Sequence, residues 1–335
     1  MKVKPAILVS GNLPASVRKF LGKDFRVEYH AEDRPMPRDV LLRSLANKVG
    51  LLSMITDTVD EELFLQAPQL KMVANMAVGY NNIDVAAATR RGIIVANTPG
   101  VLTEATADLA FSLILATARR VVEGDRMVRN GDFKFWAPFL FLGREVSGKT
   151  LGIVGMGRIG QAVARRASGF SMPVIYHSRT PLKKSLEKAL RATGVSFTTL
   201  LQEADFISLH VPLSRETTHL IGKREFGLMK KTAILINTSR GPVVDEKELL
   251  KALQRGRIAG AGIDVYENEP AITAGLEMMS QAVLLPHVGS ATLETRTQMA
   301  QLAAENLRAG LLGRRPPHLV NPQVFKKKRG SADAF

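Results

Sequence analysis

Leu151-Gly152-Ile153-Val154-Gly155-Met156-Gly157-Arg158-Ile159-Gly160-Gln161 is the stretch that decides how this chain folds. A short apolar run ends in Gly155-x-Gly157-x-x-Gly160, and a helical pattern follows with Ala162, Val163 and Ala167 on one face. A glycine triplet signals dinucleotide binding when it stands between a strand and a helix start, as here. Gly155 permits the tight turn, Gly157 lets the backbone approach a pyrophosphate, and Gly160 lets the helix pack against the strand. Backbone N–H groups at the helix start, those of Arg158 and Ile159 among them, then face the phosphates, and the helix dipole favours their charge. The plainer alternative is a buried βα turn that binds nothing.

Outward from this turn the pattern is α/β. From Lys149 to about Pro286 the strand candidates are Thr150–Gly155, Pro173–His177, Phe206–His210, Ala233–Asn237, Ala259–Asp264 and Val283–Leu285. Residues 4–99 alternate in the same way, with strands at Ala6–Val9, Val49–Met54, Lys71–Ala74 and Ile93–Ala96 and amphipathic stretches at Arg38–Ala46 and Asp60–Ala67. Continuous apolar runs separated by helical patterns predict mostly parallel sheets covered on both faces. Asn97-Thr98-Pro99-Gly100 has turn chemistry and suits a domain crossing. A long helix follows, with Thr103 as its expected cap and Glu104 at its positive end. Val121–Ser147 carries Phe133, Phe135, Trp136, Phe139 and Phe141 and fits no strand. Such a segment is expected to pack, with a partner subunit as one place for it. A last long helix is expected over Ser290–Leu312.

The 335 residues suggest two domains, and an apolar content of 45% supports large cores. There is no cysteine, which excludes disulfides, thiolate metal sites and a cysteine nucleophile, and fits a reducing cytoplasm. The N-terminal Met1-Lys2-Val3-Lys4-Pro5 runs straight into a strand pattern without the apolar core of a signal peptide. The most apolar helix, around Leu109 to Ala118, is too short and interrupted to span a bilayer, so no membrane role is expected. The net charge of +15, from 46 Lys and Arg against 31 Asp and Glu, is spread along the chain. The one dense run is Lys326-Lys327-Lys328-Arg329, read as a solvated tail. With 4 Tyr and 1 Trp there is no basic-aromatic interleaving for nucleic acid, and a positive field drawing in small anions is the milder reading.

The loop after the second strand of the fingerprint unit reads Tyr176-His177-Ser178-Arg179-Thr180. An NAD-selective fingerprint places a carboxylate here for the ribose 2′-hydroxyl. Ser178 stands in that place with Arg179 beside it, and a hydroxyl and a guanidinium accept a 2′-phosphate that a carboxylate would repel. The reading is NADP(H) as preferred cofactor with NAD(H) possible; a merely solvated Arg179 is the alternative. Three stretches stand at later strand ends, where ligands bind in open α/β sheets. They are Asn237-Thr238-Ser239-Arg240-Gly241, Gly262-Ile263-Asp264-Val265-Tyr266-Glu267-Asn268-Glu269-Pro270 and Pro286-His287-Val288-Gly289-Ser290-Ala291-Thr292. Singly, each has a dull explanation. His30, His177, His210, His219 and His318 are read as structural.

Taken in order, the fingerprint and these stretches resemble the D-isomer-specific 2-hydroxyacid dehydrogenase family over nearly the whole chain. Ala77-Val78-Gly79-Tyr80-Asn81-Asn82-Ile83-Asp84 and Thr98-Pro99-Gly100-Val101-Leu102-Thr103-Glu104-Ala105-Thr106-Ala107-Asp108 look most like its glyoxylate/hydroxypyruvate reductase branch. The resemblance implies two Rossmann-like domains, doubly wound parallel sheets, with the active site in the cleft between them. It implies a discontinuous substrate domain at 1–99 plus 290–335 and a dinucleotide-binding domain at 100–289. It further implies a homodimer that uses an aromatic arm at about 121–147.

The resemblance also assigns roles. His287 is the proton donor to a 2-keto acid as hydride arrives at carbon, Glu269 pairs with its ring, and Arg240 grips the substrate. Backbone N–H groups of Val78 and Gly79 hold the substrate carboxylate, and Met54, with Leu52, shapes its pocket. Asp264 accepts from the nicotinamide carboxamide. Thr106, Thr238, Ser239 and Gly289 line the cofactor near it, Val211 and Pro212 line the adenine side, and Thr217 lies near the phosphates. No metal is expected. Val78 replaces the Lys of phosphite-oxidising relatives, and Asn75-Met76-Ala77-Val78 lacks the basic group of phosphoglycerate-oxidising ones. Trp136 matches a Trp that reaches the partner's active site in the hydroxypyruvate-reducing branch, with ordinary arm packing as the alternative. The implied activity is reduction of glyoxylate and hydroxypyruvate. The alternatives are a broader D-2-hydroxyacid dehydrogenase and a dinucleotide-sensing, corepressor-like binding protein.

Overall fold

A computed structural model describes residues 3–324. Its internal contacts divide the chain into two units, Met1–Leu102 with Thr292–Phe335, and Thr103–Ala291. The first unit holds β1 (Ala6–Val9), β2 (Arg26–Tyr29), β3 (Gly50–Ser53), β4 (Met72–Asn75) and β5 (Ile94–Ala96). They form one parallel sheet in the order β2-β1-β3-β4-β5. This is a doubly wound order whose topological switch lies between β1 and β3. β1, β3, β4 and β5 are buried and mostly apolar because both faces are covered. Ile7, Val9, Leu52, Met72 and Ala74 pack on one side, where helix Leu293–Leu311 contributes Ala300, Ala303, Ala304 and Leu307. Leu8, Leu51, Val73 and Val95 pack on the other.

The second unit holds β6 (Leu151–Val154), β7 (Val174–His177), β8 (Ala192–Gly194), β9 (Phe206–Leu209), β10 (Ile234–Asn237), β11 (Gly260–Ile263) and β12 (Ala282–Leu284). The order is β12-β11-β10-β9-β6-β7-β8, all parallel, so its switch point lies between β6 and β9. Leu151, Ile153, Ile234 and Ile236 face one core, while Val154, Ile207, Leu209 and Leu235 face the other. This alternation is the two-residue period of a strand buried on both sides.

Two strands lay outside the sequence reading, β2 and β8. Both are edge strands, polar and mostly exposed, and so lack the apolar run that marks a central parallel strand. Thr103 is the first residue of helix Thr103–Ala118 rather than a cap before it. After helix Val121–Arg129 the chain to Lys149 has no regular element, and of its aromatics only Phe141 is half-buried, under the Arg120 guanidinium, while Phe135 is 66% exposed, Trp136 77% and Phe139 85%. The basic run Lys326–Arg329 lies outside the described residues. Among the described residues, no helix is long and apolar enough to cross a membrane.

Candidate active site

The glycine turn carries out three separate steric tasks. Gly155 follows β6 with φ +96°, and a Cβ there would meet the His210 carbonyl at 2.7 Å across the switch point. Gly160 is closed to any side chain, since its Cβ would lie 2.3 Å from the Gly155 carbonyl oxygen. Gly157 has nothing within 4 Å of a Cβ position; it stands at the start of helix Arg158–Ala167 without a side-chain cap. An open, uncapped helix start with free N–H groups is a ready anion site. Ala162, Val163 and Ala167 are buried on one face, as the periodicity predicts, and Arg158 is exposed. At the end of β7, Ser178 is half-buried while Arg179 and Thr180 are exposed. Thr217, half-buried, ties its own loop: its hydroxyl accepts from Ser214 N–H at 2.8 Å and donates to the Pro212 carbonyl at 2.7 Å. Val211 lies against Gly155, and Pro212 is exposed.

The chemistry-bearing residues follow β10, β11 and β12. Asn237 ends β10, and its side chain builds the turn after it. Its Oδ1 accepts from Ser239 N–H at 3.0 Å and from the Ser239 hydroxyl at 2.8 Å, and its Nδ2 donates to the Arg240 carbonyl at 3.0 Å. Arg240 leaves this turn half-buried and donates to the Ser239 carbonyl at 2.6 Å. Burial pushes its guanidinium below the usual arginine range, and the Glu269 carboxylate opposes that shift. The buried Thr238 hydroxyl has no hydrogen-bond partner among the described residues.

Glu269 and His287, 18 residues apart, meet: Glu269 Oε2 lies 2.7 Å from His287 Nδ1. Burial alone would raise the Glu269 carboxyl. The bond and charge of His287, the Tyr266 N–H and the Arg240 charge outweigh it and hold the group below the usual carboxylate range. His287 has φ +55°, a left-handed conformation uncommon outside glycine. Its loop is held from behind. Asp264, almost fully buried, accepts from Val288 N–H at 2.7 Å and Gly289 N–H at 2.8 Å, one per carboxylate oxygen. Burial, working against those two bonds, pushes the Asp264 carboxyl up. The Thr106 hydroxyl donates to the Gly289 carbonyl at 3.1 Å. The Tyr266 hydroxyl donates to the Leu285 carbonyl at 2.9 Å, and burial pushes its pKa up to about 12.

In the first unit Val78 and Gly79 follow β4. Asn97 Nδ2 donates to the Val78 carbonyl at 2.7 Å and Asn75 Nδ2 to the Gly79 carbonyl at 3.0 Å. Neither residue's N–H has an acceptor among the described residues. Met54 follows β3; its N–H donates to Asp57 at 2.7 Å, and its side chain lies over Gly11, whose Cβ would stand 2.9 Å from Met54 Cε. Trp136 belongs to the arm and is exposed. Among the described residues, no cluster of His, Asp or Glu could hold a metal ion. Sequence reasoning missed Asn237 and Tyr266 as shaping residues and missed the grip of Asp264 on the His287 loop. All three stood inside the motifs already singled out, but Asn237 shapes its own turn, and Tyr266 and Asp264 bond backbone 19 to 25 residues along the chain.

Residues 111–289 match the family model described as the NAD binding domain of the D-isomer specific 2-hydroxyacid dehydrogenases. The chain belongs to that family. It is 53% identical over 327 residues to a glyoxylate reductase of Thermococcus litoralis, covering 96% of this chain and 98% of that one. With a glyoxylate reductase of Pyrococcus horikoshii it shares 50% over 331 residues, covering 98% and 99%. Among solved structures, an NADPH-dependent glyoxylate/hydroxypyruvate reductase of Sinorhizobium meliloti, in complex with NADP and malonate, superposes with a TM-score of 0.85 at 33% identity, covering 95% and 97%. A Thermus thermophilus protein gives a TM-score of 0.88 at 46% identity, covering 94% and 99%. Membership makes this 2-hydroxyacid dehydrogenase an oxidoreductase that uses a nicotinamide dinucleotide. The open helix start beside Gly157 and the orphaned Thr238 hydroxyl suit such a group.

Proposed function

We propose that this protein is an NADPH-preferring reductase of glyoxylate, and of hydroxypyruvate, producing glycolate and D-glycerate. The observation that carries the reading is the 2.7 Å Glu269–His287 pair beside Arg240, at the strand ends of a sheet that opens with the dinucleotide turn. The cofactor, when bound, supplies the hydride. The chain's part is to bind, orient and protonate. Arg240 grips the anionic substrate with a planar fork of donors that fits a carboxylate and its neighbouring carbonyl. The Val78 and Gly79 N–H groups add donors for the carboxylate, and Met54 bounds the substrate side chain. His287, tied through Nδ1 to Glu269, presents Nε2 to the carbonyl oxygen and delivers the proton. Glu269, ionised well into the acid range, steadies the imidazolium before transfer.

Asp264 and Thr238 are available to the nicotinamide amide, with Thr106, Ser239 and Gly289 around it. Arg158 and Ile159 N–H groups take the pyrophosphate and Thr217 supports it, while Val211 and Pro212 cover the adenine. Ser178, Arg179 and Thr180 take the 2′-phosphate, which favours NADPH. The exposed arm with Phe135, Trp136 and Phe139 supports a homodimer, since apolar side chains of that size are usually covered by a partner. A spectrophotometric panel of 2-keto acids with NADPH and with NADH tests the reading. Glyoxylate and hydroxypyruvate with NADPH should give the highest kcat/KM. Turnover confined to larger keto acids would make the protein a broader D-2-hydroxyacid dehydrogenase, and tight NADPH binding without turnover would make it a sensor.

A further inference from the structure

Glu269 sits on a loop, and a loop does not by itself hold a carboxylate to a fraction of an ångström. The loop is gripped at two points, both by one side chain outside the acid–base pair. Glu246 opens helix Glu246–Gln254 and is 3% exposed. One of its carboxylate oxygens accepts from Glu267 N–H. The other accepts from Thr273 N–H at 3.1 Å and the Thr273 hydroxyl at 2.9 Å. These donors bracket Glu269 on its two sides. The grip is returned: Glu267 Oε1 accepts from Glu246 N–H at 2.8 Å and lies 3.2 Å from His219 Nε2.

A buried carboxylate is costly unless its acceptor positions are filled, so this arrangement favours a single loop conformation. From the glutamate exchange we infer that Glu246 is a positioning residue for the reaction, fixing the Glu269 loop so that its carboxylate meets His287. The inference rests on the reading of Glu269 and His287 as the acid–base pair. The charged and titratable groups around the clamp are His219, Asp245, Glu267, Glu269, Arg240 and His287.

Glu246→Gln keeps the volume but offers one acceptor oxygen where two are used, so one side of the loop is released. In the full-length protein, kcat for glyoxylate should fall roughly tenfold or more, as for loss of a precisely held catalytic geometry. The NADPH dissociation constant, read by fluorescence titration, should stay within about twofold. The KM for glyoxylate should change less than kcat, because Arg240 and the Val78 and Gly79 N–H groups that hold the substrate are untouched. Thr273→Val, which removes one donor on the same side, should give a smaller change in the same direction. Wild-type kcat in Glu246→Gln would overturn the inference, as would a KM that moves as far as kcat. So would a loss of kcat that only follows the folded fraction. Glu269→Gln separates the two claims: if it too keeps full turnover, the acid–base reading itself fails. If Glu269→Gln is crippled while Glu246→Gln is not, only the clamp fails.

Discussion

Arg240 combines two features that decide what can replace it. Its backbone carbonyl is held by Asn237 Nδ2, and its guanidinium is half-buried near Glu269. Lysine has a point charge on a flexible stem and loses more solvation on entering the same site. Arg240→Lys is therefore expected to lower kcat/KM for glyoxylate roughly 10- to 100-fold, about 1.4–2.7 kcal/mol, with NADPH affinity little changed. Steady-state kinetics alongside cofactor titration measure both, and wild-type behaviour would reduce Arg240 to an ordinary cation. Residue identities at the site were legible because each stands at the end of an apolar run. Their pairing was expected only from the family resemblance, since no local pattern carries it: Glu269 and His287 are 18 residues apart, and the 2.7 Å contact is a product of the sheet order that places β11 beside β12.

The elements were legible in proportion to their burial. Central strands such as β6 and β10 announce themselves as apolar runs, whereas β2 and β8, solvated at the sheet edges, do not. The arm from Asn130 to Lys149 carries a strong aromatic signal but no period, so the sequence indicates a surface and not a structure. In the proposed reading, the loop after β7 is the element that selects the cofactor. Ser178 and exposed Arg179 stand where an acid would bind the ribose 2′-hydroxyl. Ser178→Asp exchanges a hydrogen bond to the 2′-phosphate for repulsion, roughly 2–4 kcal/mol or about 30- to 1000-fold in the NADPH/NADH ratio of kcat/KM. The expected outcome is reversal from NADPH to NADH preference. A wild type that already prefers NADH, or an unmoved ratio in the variant, would remove this loop from cofactor selection.

At the scale of the molecule, the two sheets with their covered faces follow from the apolar patterning, and the family relatives share that architecture. One half-buried histidine makes the fold sensitive to acid. His210, at the switch point beside Gly155, has its pKa lowered to about 4 by burial, against an ordinary 6.5. Above the unfolded value both states are neutral and pH has no effect through this group. As pH falls from there to about 4, the unfolded chain takes up a proton that the folded chain refuses, so stability drops by up to about 3 kcal/mol. Urea unfolding at about pH 7 and about pH 4.5 should show this loss in the wild type and a smaller one in His210→Asn; an equal loss in both would assign it elsewhere. The central claim is that one residue, His287, supplies the proton to a keto acid in a protein built to hold NADPH. It is tested most directly by single-turnover oxidation of enzyme-bound NADPH on mixing with glyoxylate, in wild type and His287→Ala. The account predicts that the variant binds NADPH as the wild type does and oxidises it about 10²- to 10⁴-fold more slowly. Equal rates in the two proteins would contradict it.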